Sequence, residues 1–230
     1  AINARTRAIV VNSPHNPTGA VLSHDELEQL ARLVESQDIY IISDEVYEHM
    51  TYNGVDHESL CRNDVLRQRT FVISSFGKTY HATGWKVGYC LAPEALTAEF
   101  RKVHQFVTFT THTPSQWAIA DFLANHPEHH EELPTFYENK RDLFIEAIAG
   151  LGFTISPSRG TYFQLAGYEG LSNLADKEFT TALTQDAGVA AIPVSVFYRE
   201  PPDLKVVRFC FAKEDTTLLQ AAERLRAYFS

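Results

Sequence analysis

Short apolar runs and helix-periodic segments alternate along the first half of this sequence. Three runs rich in β-branched and aliphatic residues predict buried strands, at residues 7–11, 39–43 and 70–74. Between the first two runs, Ser23 and Glu26 match a capping box, and apolar residues at helical spacing predict a helix over residues 23–36. A strand, an amphipathic helix and a strand in this order predict a βαβ unit with parallel strands.

The pattern continues with a predicted strand at residues 85–91 and with longer helical segments. Helices are expected over residues 93–106, 113–124 and 133–149. In the last of these, we expect four apolar residues to face the interior: Phe136, Leu143, Phe144 and Ala147. The pair His129 and His130 precedes this helix and is followed by two glutamates, so we expect it to be a solvated helix start.

The pattern of predicted elements changes after Gly150, where short strands replace the alternation of strands and long helices. The expected strands and helices are at residues 153–156, 161–165, 176–186 (helix), 189–193, 205–211 and 214–229 (helix). This α+β pattern differs from the α/β pattern before it, which places a domain boundary near Gly150. We therefore expect a large domain over residues 1–150 and a small domain over residues 151–230.

Length, charge and composition argue against several classes of function. A chain of 230 residues that is 44% hydrophobic is able to bury a sizeable core. A net charge of −9 without a basic cluster argues against a nucleic-acid surface. No apolar run approaches the roughly 20 residues needed to cross a bilayer, so no membrane partner is expected. Three cysteines without metal-type spacing predict buried thiols in a reducing cytoplasm, and we expect no metal site among the ten histidines.

Candidate chemistry lies just after the third predicted strand. Lys78 follows the strand end among the turn-forming residues Ser75 and Gly77, at the position where open α/β sheets place ligands. A lysine there is either a solvated surface charge or a group that reaches a ligand. A second cation, Lys86, follows between Gly84 and Gly88, where the backbone is able to approach a ligand closely. Its presence favours a ligand-binding role for Lys78.

The stretch Ser-Phe-Gly-Lys-Thr-Tyr-His-Ala-Thr-Gly-Trp-Lys, residues 75–86, resembles the Schiff-base lysine segment of class I (fold-type I) aminotransferases. It looks most like the branch of methionine aminotransferases and kynurenine/glutamine transaminases. The resemblance implies that Lys78 forms an imine with the aldehyde of pyridoxal 5'-phosphate, and that Ser75 and Lys86 hold the phosphate. In many relatives the phosphate residue is arginine, and Lys86 would be a point charge without a bidentate fork.

Asp44 ends the second predicted strand, and its surroundings are very apolar. A carboxylate there is either a turn or cap residue or the partner of a cation. The resemblance implies that Asp44 pairs with the pyridine nitrogen of the cofactor and that Tyr47 donates a hydrogen bond to its 3-oxygen. The neighbouring Glu45 and Glu48 match no catalytic role, and we expect them to be solvated or structural.

Two further residues concern the amino-acid substrate. Asn16 begins an Asn-Pro-Thr-Gly sequence in a loop stiffened by prolines. Arg208 is a charge within the apolar run Val-Val-Arg-Phe-Cys-Phe, and a lone arginine in a strand is more often paired at the surface. The resemblance implies that Asn16 binds both the 3-oxygen of the cofactor and the substrate carboxylate, and that Arg208 binds the substrate α-carboxylate.

As a set, these motifs imply an α/β fold with a mostly parallel sheet and helices on both faces, followed by a small α+β domain. They imply a homodimeric enzyme that moves an amino group from an L-amino acid (methionine, aromatic or glutamine-like) to a 2-oxo acid, with Lys78 as general base and acid. They also place a glycine-rich phosphate turn, a stacking aromatic residue and a substrate arm upstream of this sequence. Two alternatives stay open: a cofactor-dependent C–S lyase, and an aminotransferase-like effector domain of a transcription regulator.

Overall fold

Residues 2–230, described by a computed structural model, fall into two compact units. Unit 1 comprises Val21–Leu133 and the segment that ends at Pro14, and unit 2 comprises His15–Ala20 and Pro134–Ser230. The short loop of residues 15–20 therefore belongs with the C-terminal part of the chain. The later passage from unit 1 to unit 2 falls at residues 133–134, inside a helix, rather than at Gly150 where the sequence pattern changes.

Within the described residues, unit 1 is built on a sheet of four strands in the order β1-β2-β3-β4. The strands are β1 Ala8–Asn12, β2 Tyr40–Asp44, β3 Thr70–Ser75 and β4 Gly88–Leu91. β1, β2 and β3 are parallel, as the sequence pattern predicts, and β4 is antiparallel to β3. The register pairs Asn12 with Asp44 and Asp44 with Ile73, so the strand ends that carry polar residues meet at the same edge.

Helix α1 (His24–Val34) connects β1 to β2, and the predicted capping box of Ser23 and Glu26 is present at its start. Its apolar face packs on the sheet. The buried cluster joins α1, β2, β3 and the segment between them through Leu27, Ala31, Val34, Ile41, Leu60, Leu66 and Val72. Apolar burial stabilises the folded chain by about 25 cal/mol per Å². The cluster therefore contributes to holding β2 and β3 against α1.

The rest of unit 1 is helical. Short helices α2 (Asp64–Arg67) and α3 (Phe76–Thr79) flank β3, and longer helices α4 (Glu94–Val107) and α5 (Thr113–Asn125) follow β4. Many apolar side chains of α4, α5 and the segment between them are exposed. Their exposed fractions are 62% for Val103, 84% for Phe106, 78% for Val107, 79% for Phe109 and 74% for Trp117.

Unit 2 contains an antiparallel sheet in the order β5-β7-β6. Its elements are α6 His129–Ala147 (from Pro134 onward), β5 Phe163–Gly167, α7 Asp176–Gln185, β6 Ile192–Pro193, β7 Val206–Cys210 and α8 Asp215–Phe229. Val207 and Phe209 of β7 are buried with Phe211, while Arg208 between them is half-buried. Alternation along the strand therefore turns Arg208 to the opposite face of the sheet from the core.

Several predicted elements are shorter than expected. The strand expected at residues 85–91 begins at Gly88, because Thr83–Trp85 form a 3₁₀ turn and Lys86 adopts a left-handed backbone conformation with φ of 55°. Residues 153–156 form an isolated bridge between Thr154 and Gly167 instead of a strand. The strand expected at residues 189–193 is confined to Ile192–Pro193.

The inward face of α6 also differs from the expected one. Phe136 is 45% exposed, whereas Leu133, Tyr137, Arg141, Phe144 and Ile148 are buried. The helix starts at His129, and this histidine is partly buried because its Nε2 bonds the Thr79 carbonyl at 2.9 Å. The expectation of a solvated start was therefore wrong at His129. Among residues 2–230, no helix combines the length and apolar content needed to cross a bilayer.

Candidate active site

Polar residues of unit 1 gather at the carboxyl-terminal edge of its parallel strands. β2 ends in Asp44, and the continuation of β3 through Ser75 into α3 carries Lys78. Open α/β sheets bind their ligands at this edge. The registers of β1, β2 and β3 bring these residues together although they are distant in the sequence.

Asp44 is half-buried, and its backbone is fixed from the side of β1. Its carbonyl accepts hydrogen bonds from Asn12 Nδ2 at 2.9 Å and Ser13 N at 3.1 Å, and its Oδ1 accepts one from Val46 N at 3.3 Å. Burial raises the pKa of the Asp44 carboxyl, and the Val46 N–H and the positive charge of Lys78 partly offset this effect. Asp44 is thus a poorly solvated carboxylate, and a nearby positive charge stabilises its ionised form.

Lys78 and Tyr47 lie beside each other. Nζ of Lys78 is 5.7 Å from the centroid of the Tyr47 ring, within the range of a cation–π contact. Tyr47 is 3% exposed and lies in the turn that follows β2. The structure therefore brings together three of the predicted site residues, Asp44, Tyr47 and Lys78, at one point on the sheet edge.

Ser75 caps α3, and its hydroxyl faces the segment that carries Lys86. Its Oγ accepts a hydrogen bond from Gly77 N at 3.2 Å and is 3.5 Å from the Val87 carbonyl. Lys86 itself is exposed. The close approach of β4 to β3 depends on Gly88, because a Cβ at that position would lie 2.5 Å from the Ser74 carbonyl oxygen. The Ser75 hydroxyl therefore lies beside the backbone of Val87, the residue that follows Lys86.

Glu45 belongs to a buried network that the sequence did not reveal. Its side chain is 1% exposed, and its Oε1 accepts hydrogen bonds from Ser43 Oγ at 2.8 Å and Leu60 N at 3.1 Å. Its Oε2 bonds Nε2 of His57 at 2.8 Å. Burial alone would raise the pKa of Glu45, but the hydrogen bonds and charge of His57, with hydrogen bonds from Ser59 and Ser43, outweigh it and lower the pKa.

Glu48 forms a second network, on the strands β3 and β4. Its Oε1 accepts hydrogen bonds from Ser74 Oγ and Tyr89 OH, each at 2.5 Å. Burial and the bond to Glu48 raise the pKa of the Tyr89 hydroxyl. We expected Glu45 and Glu48 to be solvated or structural. Both are structural, because each holds the segment after β2 through side-chain hydrogen bonds. The signal available in the sequence was the polar run Ser43-Asp44-Glu45, directly after an apolar strand.

Unit 2 contains the other two predicted residues, Asn16 and Arg208, and brings them into contact. Nη1 of Arg208 donates to Oδ1 of Asn16 at 2.6 Å, across a sequence separation of 192 residues. The guanidinium carbon lies 3.9 Å from the centroid of the Phe163 ring and 5.7 Å from that of Phe197. Aromatic rings on the guanidinium fix its plane.

The loop that carries Asn16 is anchored at Gly19. Arg159 N donates to the Gly19 carbonyl at 3.1 Å, and Gly19 has φ of +70°. A Cβ on Gly19 would lie 2.5 Å from Cβ of Ser158. The carbonyl of Ser158 in turn accepts a hydrogen bond at 2.7 Å from Nη1 of Arg141, which is 2% exposed. A buried arginine and a glycine contact thus place this loop within unit 2.

Comparison with known proteins shows the family to which the chain belongs. The chain belongs to the aminotransferase class I and II family, whose model matches residues 1–225. Over 225 residues it is 49% identical to methionine aminotransferase of Escherichia coli (strain K12), covering 98% of this chain and 58% of that protein. It is 34% identical over 246 residues to kynurenine--oxoglutarate transaminase 1 of Homo sapiens, with the same coverage.

Solved structures agree. The crystal structure of YbdL from Escherichia coli, with a methionine aminotransferase function, superposes with a TM-score of 0.95 at 49% identity, over 98% of this chain and 59% of that one. N-succinyldiaminopimelate aminotransferase from Mycobacterium tuberculosis gives a TM-score of 0.94 at 38% identity, over 100% and 60% of the two chains. The predicted family and fold class are thereby confirmed. The chain spans under two thirds of the length of these relatives.

Proposed function

We propose that the whole protein is a pyridoxal 5'-phosphate-dependent aminotransferase that moves an amino group from an L-amino acid to a 2-oxo acid. The observation that carries the proposal is the grouping of Asp44, Tyr47 and Lys78 at the carboxyl ends of the parallel strands. The activities of the relatives, on methionine and kynurenine, favour sulfur-containing and aromatic amino donors, with glutamine-like donors as a further class.

The residues present fit the chemistry of this cofactor. Lys78 offers an amine for its aldehyde, and Asp44 a carboxylate that gains from a positively charged partner. Tyr47 offers a phenol for the 3-oxygen, while Ser75 and Lys86 offer a hydroxyl and a charge for the phosphate. When bound, the cofactor supplies an electron sink for negative charge at the Cα of the amino acid. Each of its polar groups thus has a chemically matched residue in unit 1.

Lys78 is suited to move the proton. It lies at the end of the four-residue helix α3, half-buried and against the Tyr47 ring, so its Nζ has a defined place at the sheet edge. In our proposal Nζ would take up the proton from Cα of the bound substrate and later donate it, and these are the roles of a general base and a general acid. Asp44 would hold the ring nitrogen of the cofactor, and Tyr47 would donate to its 3-oxygen.

Arg208 and Asn16 bind the substrate carboxylate in this proposal. A guanidinium whose plane is fixed by Phe163 presents its fork to a carboxylate with bidentate geometry. The bond from Arg208 Nη1 to Asn16 Oδ1 sets the rotation of that fork. Fixing the carboxylate orients the Cα–H bond of the substrate, and orientation of this kind contributes several kcal/mol to catalysis.

We also propose that the whole protein is a homodimer. The support is the exposed apolar surface of α4, α5 and their connection, where Phe106, Phe109 and Trp117 are 74–84% exposed. Large apolar side chains that are exposed on neighbouring segments are typical of an interface. Solution mass of the whole protein by light scattering tests this, and a monomer at micromolar concentration would contradict it.

The activity is tested by trapping and by product analysis. The whole protein is incubated with pyridoxal 5'-phosphate, reduced with borohydride and digested, and we expect the added mass on the peptide that contains Lys78. A donor panel of methionine, kynurenine, phenylalanine and glutamine with a 2-oxo acid should give the matching amino-acid product. Release of ammonia and pyruvate from a sulfur-containing donor would favour a C–S lyase instead. Mass on another lysine, or none, would refute the proposed site.

A further inference from the structure

We propose that Glu45 is a positioning residue: its buried carboxylate locks the end of β2 and thereby holds the Asp44 carboxylate in place. The inference rests on the proposed function, because it assigns Asp44 to the cofactor ring. Glu45 itself does not contact the reacting atoms in this proposal. It acts through the backbone it shares with Asp44.

The first step of the argument is strand geometry. Consecutive residues of an extended strand point to opposite faces. Ile41, Ser43 and Glu45 are buried at 0%, 0% and 1% exposure, whereas Asp44 between them is half-buried. Glu45 N also donates to the Ile73 carbonyl at 2.8 Å, which extends the pairing of β2 with β3 one residue past Asp44. A rotation of the backbone that re-aims Asp44 would therefore pull Glu45 out of its buried position.

The second step is how firmly Glu45 is held. Its two carboxylate oxygens bond Ser43 on its own strand and His57 and Leu60 on the segment that follows the Asp44–Tyr47 turn. The buried Nδ1 of His57 has no hydrogen bond within residues 2–230, so the bond to Glu45 is what orients the ring. Charge-assisted hydrogen bonds of this kind are about twice as strong as neutral ones. Glu45 thus cross-links the turn to a second segment of unit 1.

The third step is that Asp44 needs such support. Its carboxylate accepts a long bond of 3.3 Å from Val46 N, which by itself gives little orientation. Its backbone is held on one side by Asn12 and Ser13. On the other side the support is Glu45. Glu48, a partly buried glutamate that follows Tyr47, instead bridges β3 and β4 through Ser74 and Tyr89.

The experiment uses the whole protein loaded with pyridoxal 5'-phosphate that carries ¹⁵N in the ring. The chemical shift of that nitrogen reports its protonation and its bond to Asp44, independently of turnover. We expect Glu45→Gln to shift the signal toward the unprotonated ring and to slow the amino-donor half-reaction about 10- to 100-fold, with donor KM nearly unchanged. The effects of Glu45→Gln and Asp44→Asn should be non-additive, because one acts through the other.

A matched control separates positioning from simple loss of stability. Asp176 of unit 2 is also a buried carboxylate, and it accepts bonds of 2.7 Å from both N and Oγ of Ser195. Asp176→Asn should lower the thermal unfolding temperature without moving the ring-nitrogen signal. His57→Gln keeps the Glu45 carboxylate but removes its hydrogen bond to the imidazole. It should therefore shift the ring-nitrogen signal in the same direction as Glu45→Gln, by a smaller amount. If Glu45→Gln does not fold, His57→Gln tests the inference in its place.

The outcomes distinguish this inference from the proposed function. A wild-type protein that shows no ring-nitrogen signal and no bond to Lys78 overturns the proposed function and this inference with it. A wild-type protein that loads normally, with folded Glu45→Gln and His57→Gln variants that match it in both signal and half-reaction rate, overturns this inference alone.

Discussion

The two units hold their candidate site residues in different ways. In unit 1, Asp44 and Lys78 lie where regular elements end, and the sheet register sets their positions. In unit 2, Asn16 lies on a loop and Arg208 on a strand, and a direct side-chain bond of 2.6 Å joins them. One group is positioned by backbone pairing, and the other by contacts between side chains.

This difference indicates how each group should respond to substitution. A residue that stands on a paired strand end keeps its place when its own side chain is changed, so the variant reports the lost chemistry. A residue placed by a partner's side chain loses both its chemistry and its partner's orientation when changed. Substitution of Lys78 should therefore give a cleaner chemical defect, whereas substitutions of Asn16 and Arg208 should show coupled ones.

The largest effect is expected for Lys78→Ala in the whole protein. Because the amine is both the cofactor attachment and the proton carrier in our proposal, turnover should fall by about 10³-fold or more. The fold should be retained, since Lys78 ends a short helix on a sheet edge held by other residues. Steady-state rates and thermal unfolding are the measurements.

The exposed Lys102, which pairs with Glu99 on α4, is the matched control for Lys78. Lys102→Ala should keep wild-type turnover. A Lys78→Ala variant with wild-type turnover and wild-type borohydride trapping would show that another group does this work.

The second effect concerns the planar fork of Arg208. Arg208→Lys keeps the charge but loses the bidentate geometry, so the donor KM should rise about 10- to 100-fold, the equivalent of a lost charge-assisted hydrogen bond. Absorbance of the bound cofactor should stay as in wild type. Arg226→Lys, on the exposed end of α8, is the control. Loss of cofactor with normal donor affinity would place Arg208 at a different ligand.

The sequence predicted much of unit 1 because local signals there agree with the global fold. The apolar runs, the capping box at Ser23 and the polar residue at each strand end all point to parallel strands with a site at their carboxyl edge. Asp44 and Lys78 could therefore be placed from the pattern of their own segments. The resemblance to a family then supplied their roles.

The pattern was less informative where distant segments decide the structure. The contact of Asn16 with Arg208 depends on how residues 15–20 pack beside residues 158–160, and no local pattern shows that. The burial of Glu45 and Arg141 was equally hidden, because charged residues are expected at the surface unless their partners are known. In the second half, the edge strand β6 is too short for alternation to reveal its limits.

The third prediction tests the side-chain contacts that place the loop of unit 2. Gly19 and Gly54 have nearly the same backbone, with φ of +70° and +67°, but Gly54 has nothing within 4 Å of an added Cβ. Both alanine variants should lose about 1–2 kcal/mol of unfolding free energy from the left-handed conformation. Gly19→Ala should lose a further 1–3 kcal/mol or so by overpacking against Ser158.

Donor affinity then distinguishes a local clash from a displaced site. If the Gly19 contact orients Asn16 and, through it, Arg208, donor KM should rise in Gly19→Ala and stay constant in Gly54→Ala. Urea unfolding and donor titration of the two variants give both quantities. Equal KM values in the two variants would mean that the loop tolerates the clash without moving Asn16.

The smallest effect is a pH dependence that we expect in unit 1. Burial lowers the pKa of His49, and the charges of His130 and His57 lower it further, against the opposing charge of Glu48. The unfolded chain, with an ordinary histidine pKa of about 6.5, then binds more protons than the folded one, so stability should fall as the pH drops below that value. Asp44, whose pKa burial raises, acts in the opposite direction at lower pH.

The comparison between units makes this effect measurable. Both tryptophans, Trp85 and Trp117, belong to unit 1, so their fluorescence during urea unfolding reports on that unit. We expect the fluorescence midpoint to be lower at pH 5.5 than at pH 7.5, and His49→Gln to reduce the difference. The exposed His112→Gln should leave it unchanged. Equal midpoints at both pH values would contradict a lowered pKa for His49, because a group whose pKa is lower in the folded chain takes up a proton on unfolding below pH 6.5 or so.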